Sequence, residues 1–126
     1  MPGDERRLPA RHALGRDVGA LHAAGDLLVL PTQYEAFCLA ILEALGSGLP
    51  VVTSSVPGAG DAILPGVNGA LVDDPRSGVE LASTPEPLLH REALAELSAK
   101  APDTVETYQW PTVLRRYETI LLEHAR

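Results

Sequence analysis

The chain has 126 residues, of which 10 are Lys or Arg and 17 are Asp or Glu, so its formal net charge is −7. This acidic balance argues against a nucleic-acid or anionic-membrane partner, because either would require a basic face. The length fits one domain, and a composition that is 45% hydrophobic and 21% charged is typical of a soluble globular protein.

Cysteine content and hydropathy exclude further classes of protein. The single cysteine, Cys38, excludes an internal disulfide framework, and no group of Cys and His has the spacing of a metal site. Residues 1–25 lack the apolar core of a signal peptide, and the longest apolar stretch, residues 36–52, is broken by Glu43 and by Gly, Ser and Pro residues. We therefore predict a cytoplasmic location, with no transmembrane segment and no bound metal.

The first two-thirds of the chain alternates between helical and extended patterns. Residues 1–11 are polar and aperiodic, which predicts a loose N-terminal segment. The predicted elements that follow are a helix over 17–25, a strand over 27–30, a helix over 37–45, and strands over 50–53 and 69–72. The run 27–30 is apolar throughout, as in a strand covered on both faces. Strands separated by helices indicate an α/β fold with a parallel sheet.

The last third of the chain is more polar and predominantly helical. A helix is predicted over 86–100, although Pro85 and Pro87 prevent it from continuing the helical pattern at 79–82. After Pro102, a final amphipathic helix is predicted over 111–124. Its apolar stripe requires a surface to pack against, and it comprises Val113, Leu114, Tyr117, Ile120 and Leu121.

The segment 31–45 is the part of the sequence that indicates a binding site. A strand ends at Pro31, a short loop carries Glu35, and a helix is predicted to begin at about Phe37. Unpaired backbone N–H groups of Phe37, Cys38 and Leu39 would then face the carboxyl end of the sheet. That arrangement predicts an anion site.

Two carboxylates flank this predicted anion site. Glu35 and Glu43 are eight residues apart, which along a helix is roughly 12 Å. Carboxylates that act together on one glycosidic bond are about 5 to 9.5 Å apart, so a hydrolytic pair is disfavoured. The pair fits better as two acceptors that hold opposite ends of an extended ligand. Glu43 also interrupts an apolar helix, where a carboxylate needs a partner or a ligand hydroxyl.

The order of motifs around these glutamates resembles the group 1 (family 4 type) GT-B glycosyltransferases, retaining enzymes that use nucleotide-activated sugars. The resemblance covers roughly residues 12–123. Its pieces are the E-x7-E pair Glu35 and Glu43 after Pro31, ALGSGLPVV at 44–52, PGAGD at 57–61, GVNGALV at 66–72, and the aromatic pair Tyr108 and Trp110. The segments at 15–17 and 21–26 look like those of lipopolysaccharide-core or cell-envelope transferases.

The resemblance implies a role for each site residue. Glu35 would be the catalytic-site residue that contacts hydroxyls of the donor sugar, and Glu43 would accept from the ribose hydroxyls. The ligand would be a UDP- or GDP-sugar, with no further cofactor. In the family's front-face mechanism the departing diphosphate takes the acceptor proton, so the protein acts by positioning and charge stabilisation. The diphosphate would be held by the backbone of Ala36, Phe37, Cys38 and Leu39.

The sequence also departs from the family pattern. Ala36 and Cys38 stand where the family usually has one or two glycines, which let the backbone approach the phosphate closely. The chain resembles only the second half of the second of two Rossmann-like domains. We therefore predict one partial nucleotide-sugar-binding domain over 1–126. The strands that carry an Arg and a Lys for the diphosphate, and the acceptor domain, would lie in the missing part of a truncated enzyme or in the partner chain of a split enzyme.

Other interpretations remain open. The chain could be a non-catalytic interaction module, or part of a nucleotide-sugar epimerase on the same scaffold, whereas a nicotinamide oxidoreductase lacks its glycine fingerprint. Glu43 could be a structural carboxylate, Cys38 a buried filler and His22 a surface or packing residue. Gly58 and Gly60 favour a loop after a strand, and Tyr108 and Trp110 favour anchoring of the last helix to the sheet.

Two consequences follow from the partial domain. The strand 27–30 would have an open apolar edge, so self-association is expected. The span 18–75 contains six acidic residues and no Lys or Arg, yet it holds the predicted diphosphate site. Basic groups for that site are therefore expected from outside this chain.

Overall fold

A computed structural model describes residues 16–125. The predicted N-terminal segment 1–11 and Gly15 lie outside the described residues. The helices are α1 (Arg16–Ala24), α2 (Leu39–Gly46), α3 (Gly78–Ser83), α4 (Arg91–Thr104) and α5 (Trp110–His124), and the strands are β1 (Leu28–Leu30), β2 (Val51–Ser54) and β3 (Gly69–Val72). Short 3₁₀ turns occupy Gly60–Ala62, Glu86–Leu88 and Glu106–Tyr108.

The three strands form a parallel sheet in the order β1-β2-β3. Leu28 lies opposite Val51, and Val51 lies opposite Gly69. The predicted α/β class with a partial Rossmann-like parallel sheet, followed by C-terminal helices, is therefore confirmed. Because the strands are parallel, their carboxyl ends meet at one edge, where the loops to α2 and to the Gly60–Ala62 turn begin.

The core forms where α2 covers the sheet. All four residues of β2 are buried, as expected for a central strand. From α2, Ile41, Ala44 and Leu45 pack against this strand, and Ala101 and Val105 from the end of α4 close the same cluster. Apolar spacing at i, i+3 and i+4 therefore orients α2, and its remaining face points away from the core.

Asn68 and Gly69, at the start of β3, connect the loop after β2 to its surroundings. Asn68 is fully buried, and its Oδ1 accepts from the Leu64 N–H at 2.8 Å. Its Nδ2 donates to the Ala62 carbonyl at 2.9 Å and to Thr104 Oγ1 at 2.8 Å. A Cβ on Gly69 would lie 1.8 Å from the Val51 carbonyl oxygen, so only glycine permits this strand pairing. The pair thus ties the loop after β2 to the end of α4.

Several predicted boundaries were wrong. Helix α2 begins at Leu39 rather than Phe37, because Cys38 is extended and donates its N–H outside the helix. The helix predicted over 86–100 is instead a 3₁₀ turn followed by α4, which continues through Pro102. Proline removes one helical hydrogen bond, and the Thr104–Asn68 contact holds this last turn in place.

Two apolar surfaces are open in the described part of the chain. The burial expected on both faces of β1 is not observed, because Val29 is 43% exposed. No strand within residues 16–125 pairs with the outer edge of β1. On α5, the stripe residues Leu114, Ile120 and Leu121 are more than half exposed. Trp110 is 74% exposed, so the predicted anchoring of this helix to the sheet by Trp110 was wrong.

We expect the isolated chain to self-associate through these surfaces, since open edges and apolar stripes favour pairing with other copies. Sedimentation velocity should show an average mass that rises with concentration, and the Val29→Lys/Leu121→Lys double variant should shift the distribution toward monomer. The Ala23→Lys/Ala99→Lys variant adds the same charge at exposed positions on α1 and α4 and should leave the distribution unchanged. A concentration-independent monomer with one sharp unfolding transition would contradict this expectation.

Candidate functional site

The loop that carries Glu35 is fixed by hydrogen bonds to the end of β2. Thr53 Oγ1 donates to the Leu30 carbonyl at 2.8 Å, and Ser54 Oγ accepts from the Thr32 N–H at 2.8 Å. Both β2 residues are fully buried. The Thr32 hydroxyl in turn donates to the Tyr34 carbonyl at 2.9 Å. Hydroxyl side chains at the end of the central strand therefore determine where the chain leaves β1.

Gly58 holds the second loop of the site directly against this first loop. Its φ is +83°, and a Cβ at this position would lie 2.4 Å from the Glu35 carbonyl oxygen. Its carbonyl accepts from the Cys38 N–H at 3.1 Å, and its N–H donates to Asp61 Oδ2 at 3.0 Å. Gly58 follows β2, in agreement with the predicted loop, and only glycine fits both the dihedral angle and the close approach.

The predicted set of open amides at the start of α2 needs correction. The Cys38 N–H was expected to be unpaired, but it donates to Gly58. Within residues 16–125, the amides of Phe37, Leu39 and Ala40 have no acceptor. Ala40 was missed because the helix start was placed two residues too early. Three donors at the positive end of a helix still form an arrangement that favours an anion.

Glu35 lies in the loop immediately before these amides. Its side chain is half-buried, and Oε1 accepts from the Ala36 N–H at 3.1 Å. The Ala36 amide is therefore engaged rather than open to a diphosphate. Because the residues from Glu35 to Cys38 are not helical, the 12 Å estimate, which assumed a continuous helix, does not apply to the separation of Glu35 and Glu43.

Glu43 lies on the outer face of α2. It is exposed, in contrast to its core-facing neighbours Ala44 and Leu45. The expected cost of burying this carboxylate therefore does not arise, and the prediction of a ligand contact rests instead on the motif and on a groove. That groove, which we call the α1–α2 groove, has a volume of about 380 Å³ and is lined by Val18, Gly19, His22, Glu43 and Ser47.

The other singled-out side chains have structural contacts. Cys38 is half-buried against the core cluster, as the filler interpretation predicts. Phe37 contacts Tyr108, with ring centroids 6.2 Å apart and planes tilted by 42°. Tyr108 therefore packs at the start of α2 rather than on the sheet. No cluster of side chains suited to a metal ion occurs among residues 16–125.

A larger cavity of about 470 Å³ lies at the opposite edge of the sheet. It is bordered by Gly25 and Gly48, which precede β1 and β2, and by residues of the α4 region such as Arg91 and Ser98. Ligands of open parallel sheets bind at the carboxyl ends of the strands, where helix N-termini converge. This cavity is on the wrong side for that chemistry. The candidate site is therefore the start of α2, together with the part of the α1–α2 groove that Glu43 borders one turn further along α2.

None of the helices described over residues 16–125 is long and apolar enough to cross a bilayer.

Comparison with known proteins agrees with this architecture. The profile of the family "Glycosyl transferases group 1" matches residues 7–90. A GDP-mannose-dependent alpha-mannosyltransferase of Corynebacterium glutamicum is 34% identical over 110 residues, which are 87% of this chain and 26% of that protein. A D-inositol 3-phosphate glycosyltransferase of Thermobispora bispora is 38% identical over 104 residues, 81% of this chain and 24% of that protein.

A lipopolysaccharide glucosyltransferase of Escherichia coli K12 is 38% identical over 101 residues, 75% of this chain and 26% of that protein. The chain thus spans about a quarter of the length of the curated relatives it matches. Their names differ in sugar and acceptor at similar levels of identity, so the shared segment is common to several specificities. The family profile covers all three strands of the described sheet and the whole candidate site, and the chain belongs to the group 1 glycosyl transferases.

Proposed function

We propose that this chain is the donor-binding part of a retaining glycosyltransferase that uses a nucleotide diphosphate sugar, with UDP- and GDP-sugars as the candidate donors. The observation that carries the proposal is the set of open amides of Phe37, Leu39 and Ala40 between Glu35 and the groove with Glu43. A diphosphate at the start of α2 would have a carboxylate on either side for hydroxyl groups. One of the relatives is named a GDP-mannose-dependent alpha-mannosyltransferase, in agreement with this ligand class.

In the proposed complex, each group has one task. The three amides and the positive end of α2 stabilise the charge that grows on the departing diphosphate. The Glu35 carboxylate accepts from hydroxyls of the donor sugar, after exchanging its local bond with the Ala36 N–H. The Glu43 carboxylate accepts from the ribose. No side chain is required as a second base, because the departing phosphate oxygen takes the proton of the acceptor hydroxyl as the new glycosidic bond forms on the same face.

The charge of the site supports a second chain segment in the complete enzyme. Between Val18 and Pro75 there is no Lys or Arg, and amides alone are weak counter-charges for a diphosphate compared with ionised donors. We therefore propose that basic side chains come from protein outside this chain, together with the acceptor site. The matched segment is only about a quarter of each relative, so the relatives have room for such a segment.

We expect Glu43→Ala to raise the Kd for UDP or GDP about tenfold to a hundredfold, since hydrogen bonds to a charged group are worth about 1.5–3 kcal/mol. Isothermal titration calorimetry with both nucleotides would measure this change, on the chain supplemented with the corresponding N-terminal part of a relative if the chain alone binds weakly. Glu118→Ala on exposed α5 is the matched control and should bind as the parent does. Unchanged affinity in Glu43→Ala would remove Glu43 from the site.

A non-catalytic interaction module is the second candidate, and the exposed apolar stripe of α5 favours it. The two candidates differ in their response to complementation. A donor-binding part gains nucleotide affinity when the segment with the basic groups is added, whereas a non-catalytic module does not.

A further inference from the structure

The α1–α2 groove brings a histidine opposite Glu43. Val18 and His22 are four residues apart on α1 and lie on one face of that helix, and Glu43 of α2 lies four residues before Ser47, the C-cap of α2. The groove volume of about 380 Å³ falls within the range of about 300–1,000 Å³ that is usual for small-molecule sites. Two helix faces, rather than loops, therefore form its walls.

The two titratable side chains of the groove have complementary hydrogen-bonding capacity. A carboxylate only accepts, whereas a neutral imidazole has one donor and one acceptor nitrogen. The side chains of Glu43 and His22 make no hydrogen bond to residues 17–125, and His22 is half-buried. The Ser47 hydroxyl already donates to the Glu43 carbonyl at 2.8 Å. His22 is thus the available donor in the groove.

We propose that His22 is a specificity-determining residue that holds the ribose of the donor nucleotide together with Glu43. The proposal rests on the proposed function. A vicinal diol offers two O–H donors and acceptor lone pairs on both oxygens. Glu43 accepts from the hydroxyls, and the His22 ring N–H donates to a hydroxyl oxygen that a carboxylate leaves without a donor.

The position of the groove favours a nucleoside over an anion. The Glu43 carboxylate repels a phosphate, whereas the open Leu39 amide lies four residues earlier on α2, about 6 Å along the helix axis. The start of α2 favours an anion and the groove beside Glu43 disfavours one, so the two adjacent sites suit the phosphate and the ribose of one nucleotide. At Gly19 a Cβ would meet nothing within 4 Å, so the α1 wall next to Val18 is open.

The experiment compares ribose-containing and ribose-modified probes on the ¹⁵N-labelled chain. The probes are UDP, GDP, their 2′,3′-dideoxy analogues and inorganic pyrophosphate, and binding is followed by the amide signals of Phe37, Leu39 and Ala40. We expect His22→Leu to weaken UDP or GDP binding about three- to tenfold, the span of one neutral hydrogen bond. The dideoxy analogues and pyrophosphate should bind the parent and His22→Leu equally, and His22→Gln should recover part of the loss.

The outcomes separate this inference from the proposed function. His90→Leu, at the exposed N-cap of α4, is the matched control. If UDP and GDP shift the amides at the start of α2 but His22→Leu binds them as tightly as the parent, the inference about His22 is wrong and the proposed function stands. An equal loss for the dideoxy analogues also overturns it, since the ribose hydroxyls are then not involved. If neither pyrophosphate nor nucleotide shifts these amides, even when the labelled chain is supplemented with the corresponding N-terminal part of a relative, the proposed function fails and the inference fails with it.

Discussion

Replacing Gly58 by alanine is expected to lower the free energy of unfolding by about 3 kcal/mol or more. A left-handed conformation costs an L-residue about 1–2 kcal/mol, and Gly58 has a φ of +83°. The new methyl group would also lie 2.4 Å from the Glu35 carbonyl oxygen and 2.6 Å from that of Ala36, where only backbone can yield. Urea unfolding followed by circular dichroism would measure the loss.

Gly66→Ala provides the control for the conformational part. Gly66 has a φ of +77°, but a Cβ there would meet nothing within 4 Å. Its loss should therefore stay near the 1–2 kcal/mol of the backbone conformation alone. Gly58→Ala should additionally perturb the amide signal of Cys38, because its N–H donates to the Gly58 carbonyl. Equal losses in the two variants would show that contact between the two loops does not matter.

Replacing Asn68 by alanine is also expected to lower the free energy of unfolding by about 3 kcal/mol or more. The substitution leaves the Leu64 N–H and the Ala62 carbonyl without their side-chain partner and removes the bond to Thr104. Each unsatisfied buried polar group costs about 1–3 kcal/mol, and Asn68 is fully buried. Thermal and urea unfolding would both report the change.

Thr104→Val separates the contributions within this network. It removes the acceptor of one Asn68 bond and the donor to the Ala101 carbonyl, but leaves the two bonds to Leu64 and Ala62. Its loss should therefore be smaller than that of Asn68→Ala, and the double variant should be less destabilised than the sum, since the two residues share a bond. A larger loss for Thr104→Val would contradict the central role assigned to Asn68.

Sequence patterns identified the elements that depend on local chemistry. The strand 69–72 was predicted with its observed bounds, and β1 and β2 to within one residue, because short apolar runs between turn residues have few alternative structures. The helix ends were less accurate. The start of α2 is determined by the bond from Cys38 to Gly58, which is 20 residues away and leaves no local signal.

The candidate site shows the same division. The E-x7-E spacing and the strand–loop–helix order identified Glu35 and Glu43 as candidates from the sequence and placed the helix start within two residues of its observed position. Which amides remain open depends on whether neighbouring loops supply acceptors. The Cys38 amide is therefore not among the open amides, contrary to the prediction, whereas the Ala40 amide is. His22 drew attention only as a surface residue, because its position opposite Glu43 depends on how α1 packs beside α2.

The sequence by itself determined the α/β class, the order of helices and strands along the chain and the acidic, cation-free character of the segment 18–75, since these depend on composition and short-range periodicity. The tertiary structure alone decided that Asn68 is a buried hydrogen-bond centre, and that Gly58 is held against the Glu35 backbone. It also decided that β1 is half-exposed. The reason is physical: burial and hydrogen-bond satisfaction are set by groups distant in sequence, whereas helix and strand periodicity are local.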